Sequence, residues 1–262
     1  AKFGSTRRGI GPVYGDKYLK KALKVGDLLQ PEYLKKRLEG ILEWKNLTIH
    51  KAYGAPEYTM EAVLEWLDTY GKPLVPYICD TGKYLSESHS LGKRIMFEAQ
   101  LGALRDIDFG IYPFTSSSST IAAYAPIGAG IPGYSLDTVV GIMKAYSTCV
   151  GEGPFTAEMF GDEAEVLRKA GGEYGAATGR PRRVGGFDVV ASRYGVSMQG
   201  AKLIALTKLD VLSGMEKIPV CVSYQVGDKT VNDFPYGENL NIAKPNIEYF
   251  EGWQEDISGC RT

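Results

Sequence analysis

A β-strand is predicted by the apolar segment Thr138-Val139-Val140-Gly141-Ile142-Met143-Lys144-Ala145. Two more strands are predicted at 202–206 and at 218–224, the second of which is rich in valine. Helical patterns alternate with these strands at 157–170 and 187–196. This alternation predicts an α/β fold with a mostly parallel central sheet flanked by helices. The loops at the ends of such strands are where chemistry is expected.

The amino-terminal third of the chain has a helical pattern. Apolar residues recur at the spacing of one helix face within 57–70, which predicts an amphipathic helix that a following Gly-Lys-Pro sequence ends. A further helix is predicted over 74–89, a helix start near Tyr18 and a short strand over 94–97. No internal repeat or linker divides the sequence, so residues 1–262 are predicted to form a single domain.

The composition is that of an ordinary globular protein, with 44% hydrophobic and 23% charged residues. The 30 basic and 31 acidic residues leave a net charge of −1, which gives no general attraction to nucleic acid or anionic lipid. No apolar run approaches the ~20 residues that span a bilayer, and no signal segment opens the chain. The 4 cysteines are widely spaced, as is typical of reduced thiols in a cytoplasmic protein, and only 2 histidines are available to a metal site.

A basic loop with a glycine hinge occupies residues 176–183. Its three guanidinium groups belong to Arg180, Arg182 and Arg183. Arginine forms planar, bidentate pairs with carboxylate and phosphate groups, so the loop indicates a site that handles anions. A solvated basic patch and an RNA contact are the alternatives, and the near-neutral charge of the chain disfavours RNA.

The segment Thr207-Lys208-Leu209-Asp210 follows a predicted strand. A carboxylate at Asp210 can accept from the ring N–H and the amino group of guanine, while the stem of Lys208 covers the base. Adenine has a lone pair where guanine has its ring N–H, and sites of this kind reject the wrong partner by roughly 10⁴ or more. The segment therefore indicates a guanine nucleotide site, unless the two residues simply end the strand.

Other segments are open to two interpretations. Residues 4–12 combine glycine, hydroxyl and guanidinium groups, which suits a phosphate cradle or a surface turn. The hydroxyl residues at 115–120 suit a phosphate pocket at a helix N-terminus or a plain linker. Glu98, Asp106 and Asp108 are candidates for Mg²⁺ or acid–base chemistry, although isolated carboxylates are more often solvated or paired. No segment matches the phosphate-loop pattern G-x-x-x-x-G-K-[ST].

Taken together and in this order, the segments resemble the adenylosuccinate synthetase family along the whole chain. The blocks that carry the resemblance are 5–17, 106–108 with 112–113, 150–155, 173–183 and 205–212. The resemblance implies a P-loop-NTPase-like fold. It also implies the GTP-dependent ligation of IMP and L-aspartate to adenylosuccinate through 6-phosphoryl-IMP, the first committed step of AMP biosynthesis. Mg²⁺ as cofactor, GTP as co-substrate, a homodimer and a cytoplasmic location are implied with it.

The resemblance also implies roles for individual residues. Lys17 lies at the lysine of a family signature and is the candidate catalytic residue. The implied IMP-binding residues are Thr6, Lys20, Gln100, Ser116 and Arg180. The implied aspartate loop comprises Ala176, Ala177, Thr178, Gly179, Arg180, Pro181 and Arg182. The implied GTP-binding residues are Arg182, Lys208, Leu209 and Asp210.

The sequence departs from the family pattern at several positions. Leu101 stands at the position of the IMP-contacting glutamine, so Gln100 would have to replace it through a small backbone shift. Lys20 stands at the position of an arginine that reaches the neighbouring subunit's IMP, and Phe109 at that of a histidine.

The family's amino-terminal phosphate loop, its general base and its Mg²⁺ ligand have no counterpart in these residues, nor has its carboxy-terminal guanine-contacting segment. We therefore expect a fragment of the enzyme that contains no metal ligand and is inactive alone. The alternative is a truncated purine-nucleotide-binding or oligomerisation module without turnover.

Overall fold

The computed structural model describes residues 8–99, 101–175 and 179–260. Its α-helices are α1 (Ile10–Tyr18), α2 (Pro31–Tyr53), α3 (Met60–Tyr70), α4 (Thr81–Ser90), α5 (Tyr124–Ala129), α6 (Gly161–Gly171), α7 (Val189–Gln199) and α8 (Glu238–Asn241). Its strands are β1 (Val140–Lys144), β2 (Ser147–Cys149), β3 (Arg183–Gly185), β4 (Phe187–Asp188), β5 (Leu203–Thr207), β6 (Lys217–Val226), β7 (Lys229–Val231) and β8 (Lys244–Glu251). Short 3₁₀ helices lie at Val25–Leu29, Lys72–Tyr77, Ala103–Arg105 and Leu209–Leu212. None of the helices described has the length and apolar composition that crossing a membrane requires.

The described residues form two compact units. One holds residues 97–128 and 132–260, and it contains all the strands named above. The other holds residues 9–96 and 129–131 and is built from helices. The assignment of residues 1–262 to a single domain stays a prediction.

The amphipathic helix predicted within 57–70 is confirmed as α3. Its first turn is capped by Thr59, whose hydroxyl oxygen accepts a hydrogen bond from the backbone N–H of Ala62 at 3.2 Å. The helix ends at the C-cap Gly71, as the Gly-Lys-Pro sequence indicated.

Other amino-terminal predictions differ from the structure. Tyr18 ends α1 rather than beginning a helix. The helix predicted over 74–89 is two elements, a 3₁₀ helix and α4. Pro76 lies in the 3₁₀ helix and lacks the N–H that an α-helix would need there. Asp80 then caps α4 by accepting a hydrogen bond from Lys83 N at 3.0 Å.

Residues 94–97 were predicted as a strand and form none. A strand is stabilised by a neighbouring ladder, and no described strand pairs with this segment. The side chain of Met96 is 89% exposed, so apolar composition alone gave a false indication there.

The strands confirm the α/β class. β1 and β5 pair in parallel, with Val140 opposite Leu203 and Lys144 opposite Thr207. β6 pairs in parallel with β4 and antiparallel with β7 and β8, while β2 and β3 form a separate antiparallel pair. The antiparallel partners of β6 were not predicted; β7 follows β6 through a two-residue turn in which Gly227 has a φ of 58°.

The helical patterns at 157–170 and 187–196 are confirmed as α6 and α7. α7 begins at Val189 because the buried Asp188 is its N-cap and accepts from Ala191 N at 2.9 Å. Two apolar clusters bury the faces of these helices, and they fix the positions of the loops that carry the site. One cluster comprises Ala145, Tyr146, Ala164, Leu167, Val184, Leu212 and Ile218, and the other Ile111, Ala157, Val190, Cys221, Tyr224 and Leu240.

Candidate functional site

The carboxyl ends of β1 and β5 lie side by side. Lys144 is opposite Thr207 at the last position of the ladder, and Ala145 N donates to Thr207 O at 2.8 Å. Side chains just beyond these strands, Tyr146 and Lys208, therefore reach the same edge of the sheet. This is the edge at which parallel sheets present ligand sites.

A buried carboxylate, Glu173, organises this edge. Its side chain is 3% exposed and accepts hydrogen bonds from Lys144 Nζ at 2.8 Å, Tyr146 OH at 2.6 Å and Arg182 Nη1 at 2.9 Å. A buried charge persists when it is paired and hydrogen-bonded, and Glu173 has both kinds of partner. Two cations share this one carboxylate, so the group keeps a net positive charge.

The charge state of the network follows from these contacts. Burial on its own would raise the pKa of the Glu173 carboxyl, but hydrogen bonds and charges from Lys144, Tyr146 and Arg182 outweigh it and lower the pKa below its ordinary value. Burial raises the pKa of Tyr146, as do the hydrogen bond and charge of Glu173 and the charge of Asp210. Glu173 is therefore ionised and Tyr146 is a neutral donor at neutral pH.

The predicted guanine-reading residues join the same cluster. Lys208 Nζ donates to Gly171 O, the last residue of α6, at 3.4 Å. Lys208 has a φ of 63° and directly precedes the 3₁₀ turn that contains Leu209 and Asp210. The side chains of Leu209 and Asp210 are exposed. Lys208 therefore contacts the end of α6 directly, and the charge of Asp210 is felt at the Tyr146 hydroxyl.

The predicted aspartate loop is fastened to the same helix end at both of its sides. Arg182 N donates to Glu173 O at 2.9 Å, and Tyr174 forms an isolated antiparallel bridge with Pro181. Within the loop, Gly175 N donates to Arg180 O at 2.8 Å, and Gly179, with a φ of 62°, donates to Gly175 O at 2.7 Å. The structure thus brings Gly179, Arg180, Pro181 and Arg182 to the end of α6; Ala176, Ala177 and Thr178 lie outside the described residues.

Arg183 has a different environment from its neighbour Arg182. Its guanidinium pairs with Glu158, with Nε at 2.7 Å from Oε1 and Nη2 at 2.5 Å from Oε2, and this pairing raises the pKa of Arg183. Its Nη1 also donates to Gly151 O at 3.1 Å and Gly153 O at 2.8 Å. The side chain holds the 151–153 loop to β3, so most of its N–H donors are already used.

Ser116 lies in the same unit as this cluster. Its backbone N–H donates to Arg105 O at 2.8 Å and its hydroxyl lies 3.1 Å from that of Ser118. Arg105 in turn donates to Cys149 Sγ at 2.7 Å, and Cys149 also contacts Arg183. Residues 115–120 open no helix: they form turns and bends that Thr120 and Asp106 anchor, so a phosphate pocket here would have no helix N-terminus to draw on.

The three candidate carboxylates do not form a metal site. Asp106 is buried and accepts from the backbone N–H groups of Asp108, Phe109 and Thr120 at 2.7–2.9 Å. Burial alone would raise the pKa of Asp106, but these N–H donors lower it, so the residue anchors a turn. Asp108 and Glu98 are exposed, and the residues described contain no cluster of three metal-ligating side chains.

The remaining predicted residues belong to the helical unit or lie outside the described residues. Lys17 and Lys20 belong to the helical unit: Lys17 Nζ is 5.8 Å from the ring centroids of Tyr14 and Tyr18, and Lys20 follows α1 with a φ of 60°. Thr6 and Gln100 lie outside the described residues. Leu101, at the departure from the family pattern, has a φ of 78°, which is unusual for a branched residue.

A cavity of about 330 Å³ opens beside the network in the strand-containing unit. Lys144, Tyr146 and Thr148 line one side of it, and Asp188 and Tyr224 another. Tyr224 OH donates to Asp188 at 2.5 Å, and burial raises the pKa of Asp188 despite this bond. The cavity thus shares Lys144 and Tyr146 with the network and combines apolar and polar lining residues, as ligand sites commonly do.

Lys144, Tyr146 and Glu173 were missed as site residues by sequence reasoning. Lys144 is the last residue of β1 and Tyr146 lies two residues beyond it, so the rule for strand ends was the available signal. Glu173 carried no signal of its own, because a single carboxylate after a helix is normally solvated.

Comparison with known proteins identifies the family. The adenylosuccinate synthetase family model matches residues 1–262. The chain is 44% identical to the adenylosuccinate synthetases of Nocardioides sp. and Frankia casuarinae, over 100% of its own length and 61% and 62% of theirs. It superposes on the structure of fully ligated adenylosuccinate synthetase from Plasmodium falciparum with a TM-score of 0.89 and 35% identity, covering 98% of this chain and 61% of that one. The fold class and the family resemblance are thereby confirmed, and the chain belongs to the adenylosuccinate synthetase family.

Proposed function

We propose that the chain is the part of a GTP-dependent ligase that binds and aligns IMP, L-aspartate and GTP for the formation of adenylosuccinate. The observation that carries the proposal is the clustering of Arg182, Lys208 and Asp210 around the end of α6. A basic anion-handling loop and a guanine-reading turn serve one reaction only if they face one site, and their shared contacts with residues 171–173 support that arrangement.

GTP is bound by the guanine-reading turn and the loop. Asp210 accepts from the guanine ring N–H and amino group, while the Lys208 stem and Leu209 cover the base. Arg182 approaches the phosphates, where a guanidinium neutralises charge that develops during phosphoryl transfer. The exposure of Lys208, Leu209 and Asp210 leaves this turn open to a nucleotide.

IMP and aspartate are bound by the remaining residues of the resemblance. Arg180 contacts both substrates, and residues 176–182 close over aspartate. Ser116 contacts the IMP phosphate together with Thr6, and Gln100 and Lys20 complete the IMP contacts. Lys17 is the signature lysine of the catalytic machinery.

The reaction has two displacements. The 6-oxygen of IMP attacks the γ-phosphorus of GTP and GDP leaves; the amine of aspartate then attacks C6 and displaces phosphate, giving adenylosuccinate. The described residues contribute positioning and charge neutralisation to both steps. Mg²⁺, a homodimer and a cytoplasmic location belong to the proposal through the family alone. The described residues offer Mg²⁺ no cluster of three ligating side chains.

The test is product formation by the polypeptide expressed from the complete reading frame that encodes this chain. Purified protein is incubated with GTP, IMP and aspartate, and adenylosuccinate is measured by mass spectrometry. We expect product only when all three are present, and far less with ATP in place of GTP. Binding of GTP or IMP without product would instead support a nucleotide-binding module without turnover, which the coverage of only 61% of the relatives keeps open.

A further inference from the structure

We propose that Glu173 is a positioning residue for GTP: it holds the Arg182 guanidinium in the orientation that meets the nucleotide phosphates. The inference rests on the proposed function of Arg182. Nothing in the loop motif itself pointed to a carboxylate as part of the GTP site.

Glu173 holds Arg182 at two points. The side chain of Glu173 binds Arg182 Nη1 at 2.9 Å, and its carbonyl oxygen accepts from Arg182 N at 2.9 Å. Arg168 Nε adds a third restraint by donating to Arg182 O at 2.8 Å. An arginine side chain loses much rotamer freedom on binding a ligand, and a restraint already present in the free protein reduces that cost.

Glu173 is itself immobilised. Lys144 Nζ and the Tyr146 hydroxyl both bind its Oε1 oxygen, which leaves Oε2 for Arg182. The carboxylate therefore cannot rotate away without breaking two bonds to the end of β1. A fixed acceptor of this kind is what orients a functional side chain.

Lys144 and Arg182 share one carboxylate, so the cluster keeps an unbalanced positive charge for an anion. The Arg182 side chain is 31% exposed although its Nε atom is buried, so part of the guanidinium stays accessible to a phosphate oxygen. Glu173 thus fixes Arg182 without occupying all of the hydrogen-bond donors of the Arg182 guanidinium.

The opposite role is that Glu173 competes with GTP for Arg182 and blocks the site until nucleotide displaces it. The two roles predict opposite signs for the same substitution. If Glu173 positions Arg182, removing its charge weakens GTP binding. If it competes, the same change strengthens GTP binding.

The experiment is a double-mutant cycle in the polypeptide from the complete reading frame, with KM for GTP and for IMP measured separately. Glu173→Gln is expected to raise KM for GTP about tenfold, the loss of one charge-assisted hydrogen bond, and to change KM for IMP much less. In an Arg182→Ala background, Glu173→Gln should have little further effect, because the residue through which it acts is gone. Glu173→Asp, which keeps the charge but shortens the side chain, should also raise KM for GTP and covers the case in which the Gln variant does not fold.

Glu158→Gln is the matched control, because it removes the same kind of partner from the adjacent Arg183. It should lower the melting temperature and leave KM for GTP unchanged. Tighter GTP binding by Glu173→Gln, or an equal loss in both Arg182 backgrounds, overturns the inference. If the wild-type protein has no GTP-dependent activity, the proposed function is overturned and the inference with it. If the wild type is active and Glu173→Gln leaves KM for GTP unchanged, the inference alone is overturned.

Discussion

At the scale of single residues, adjacent arginines have separate tasks. The guanidinium of Arg183 is occupied by Glu158 and by two loop carbonyl groups, so it maintains structure. Arg182 is held by one oxygen of Glu173, and other N–H donors of its guanidinium remain unpaired among the described residues. The sequence shows the two side chains as equivalent, and only their partners separate an anion-binding residue from a structural one.

Asp210 is the residue on which guanine selection depends. We expect Asp210→Asn to lower the preference for GTP over ITP about tenfold, because the amide has a single acceptor oxygen and its NH₂ opposes the guanine amino group. The ratio of kcat/KM for the two nucleotides measures this. Asp228→Asn, in the exposed turn after β6, changes the same charge away from the site and should leave the ratio unchanged. An unaltered ratio in Asp210→Asn would contradict the assignment of this residue to the base.

At the scale of elements, the site lies where three of them end. β1 ends at Lys144, β5 at Thr207 and α6 at Gly171, and the network connects all three ends. Backbone geometry therefore places the functional groups, and side chains only complete the contacts. A change in how closely these ends approach should disturb the site even without removing a polar group.

Gly171 tests this dependence on close approach. A Cβ at this position would overlap the Tyr146 hydroxyl and lie 3.1 Å from Glu173 Cγ. We expect Gly171→Ala to destabilise the protein by about 2 kcal/mol in urea unfolding, because the crowded side chains must move.

Gly195 in α7 is the matched control in the same unit. Its Cβ would make only an ordinary contact with Ala103, at 3.7 Å. We expect Gly195→Ala to stabilise by about 0.5–1 kcal/mol, the usual gain of alanine over glycine inside a helix. Equal effects of the two substitutions would show that close packing at Gly171 does not hold the network together.

The sequence predicted the elements that carry a strong local apolar pattern, namely β1, β5, β6, α3, α6 and α7. Burial did not decide this, because most of β5 is exposed and α3 has no buried residue. Helix α2 was missed, because charged residues interrupt its apolar ones and only Leu34 and Leu38 of its 23 residues are buried. For the site, the residues that would touch ligands were predicted from the sequence, but Glu173 was missed. A buried carboxylate is recognised by its hydrogen-bond partners, and the two that bind the Oε1 oxygen of Glu173 lie 27 and 29 residues away in the chain.

At the scale of the whole molecule, the two compact units are interleaved in sequence. Residues 129–131 belong to the helical unit but lie between two segments of the strand-containing unit. Within the helical unit they pack against α4, where a Cβ on Gly82 would lie 2.5 Å from Gly130 O and Thr81 Oγ1 donates to Ala129 O at 3.5 Å. Neither unit is therefore a single continuous stretch of chain.

This interleaving leads us to expect one cooperative unfolding transition. Unfolding the helical unit releases 129–131 from α4, and these residues are continuous with both segments of the other unit.

The Trp253→Phe variant keeps only Trp44 and Trp66, so its fluorescence reports the helical unit. Alkylation of Cys221 reports the other, because this thiol is buried and burial raises its pKa to about 12. In urea the two midpoints should coincide, as a single domain requires. The exposed Cys79 should react at all urea concentrations and serves as the control for reagent activity. A fluorescence transition complete before Cys221 becomes reactive would show two domains that unfold separately.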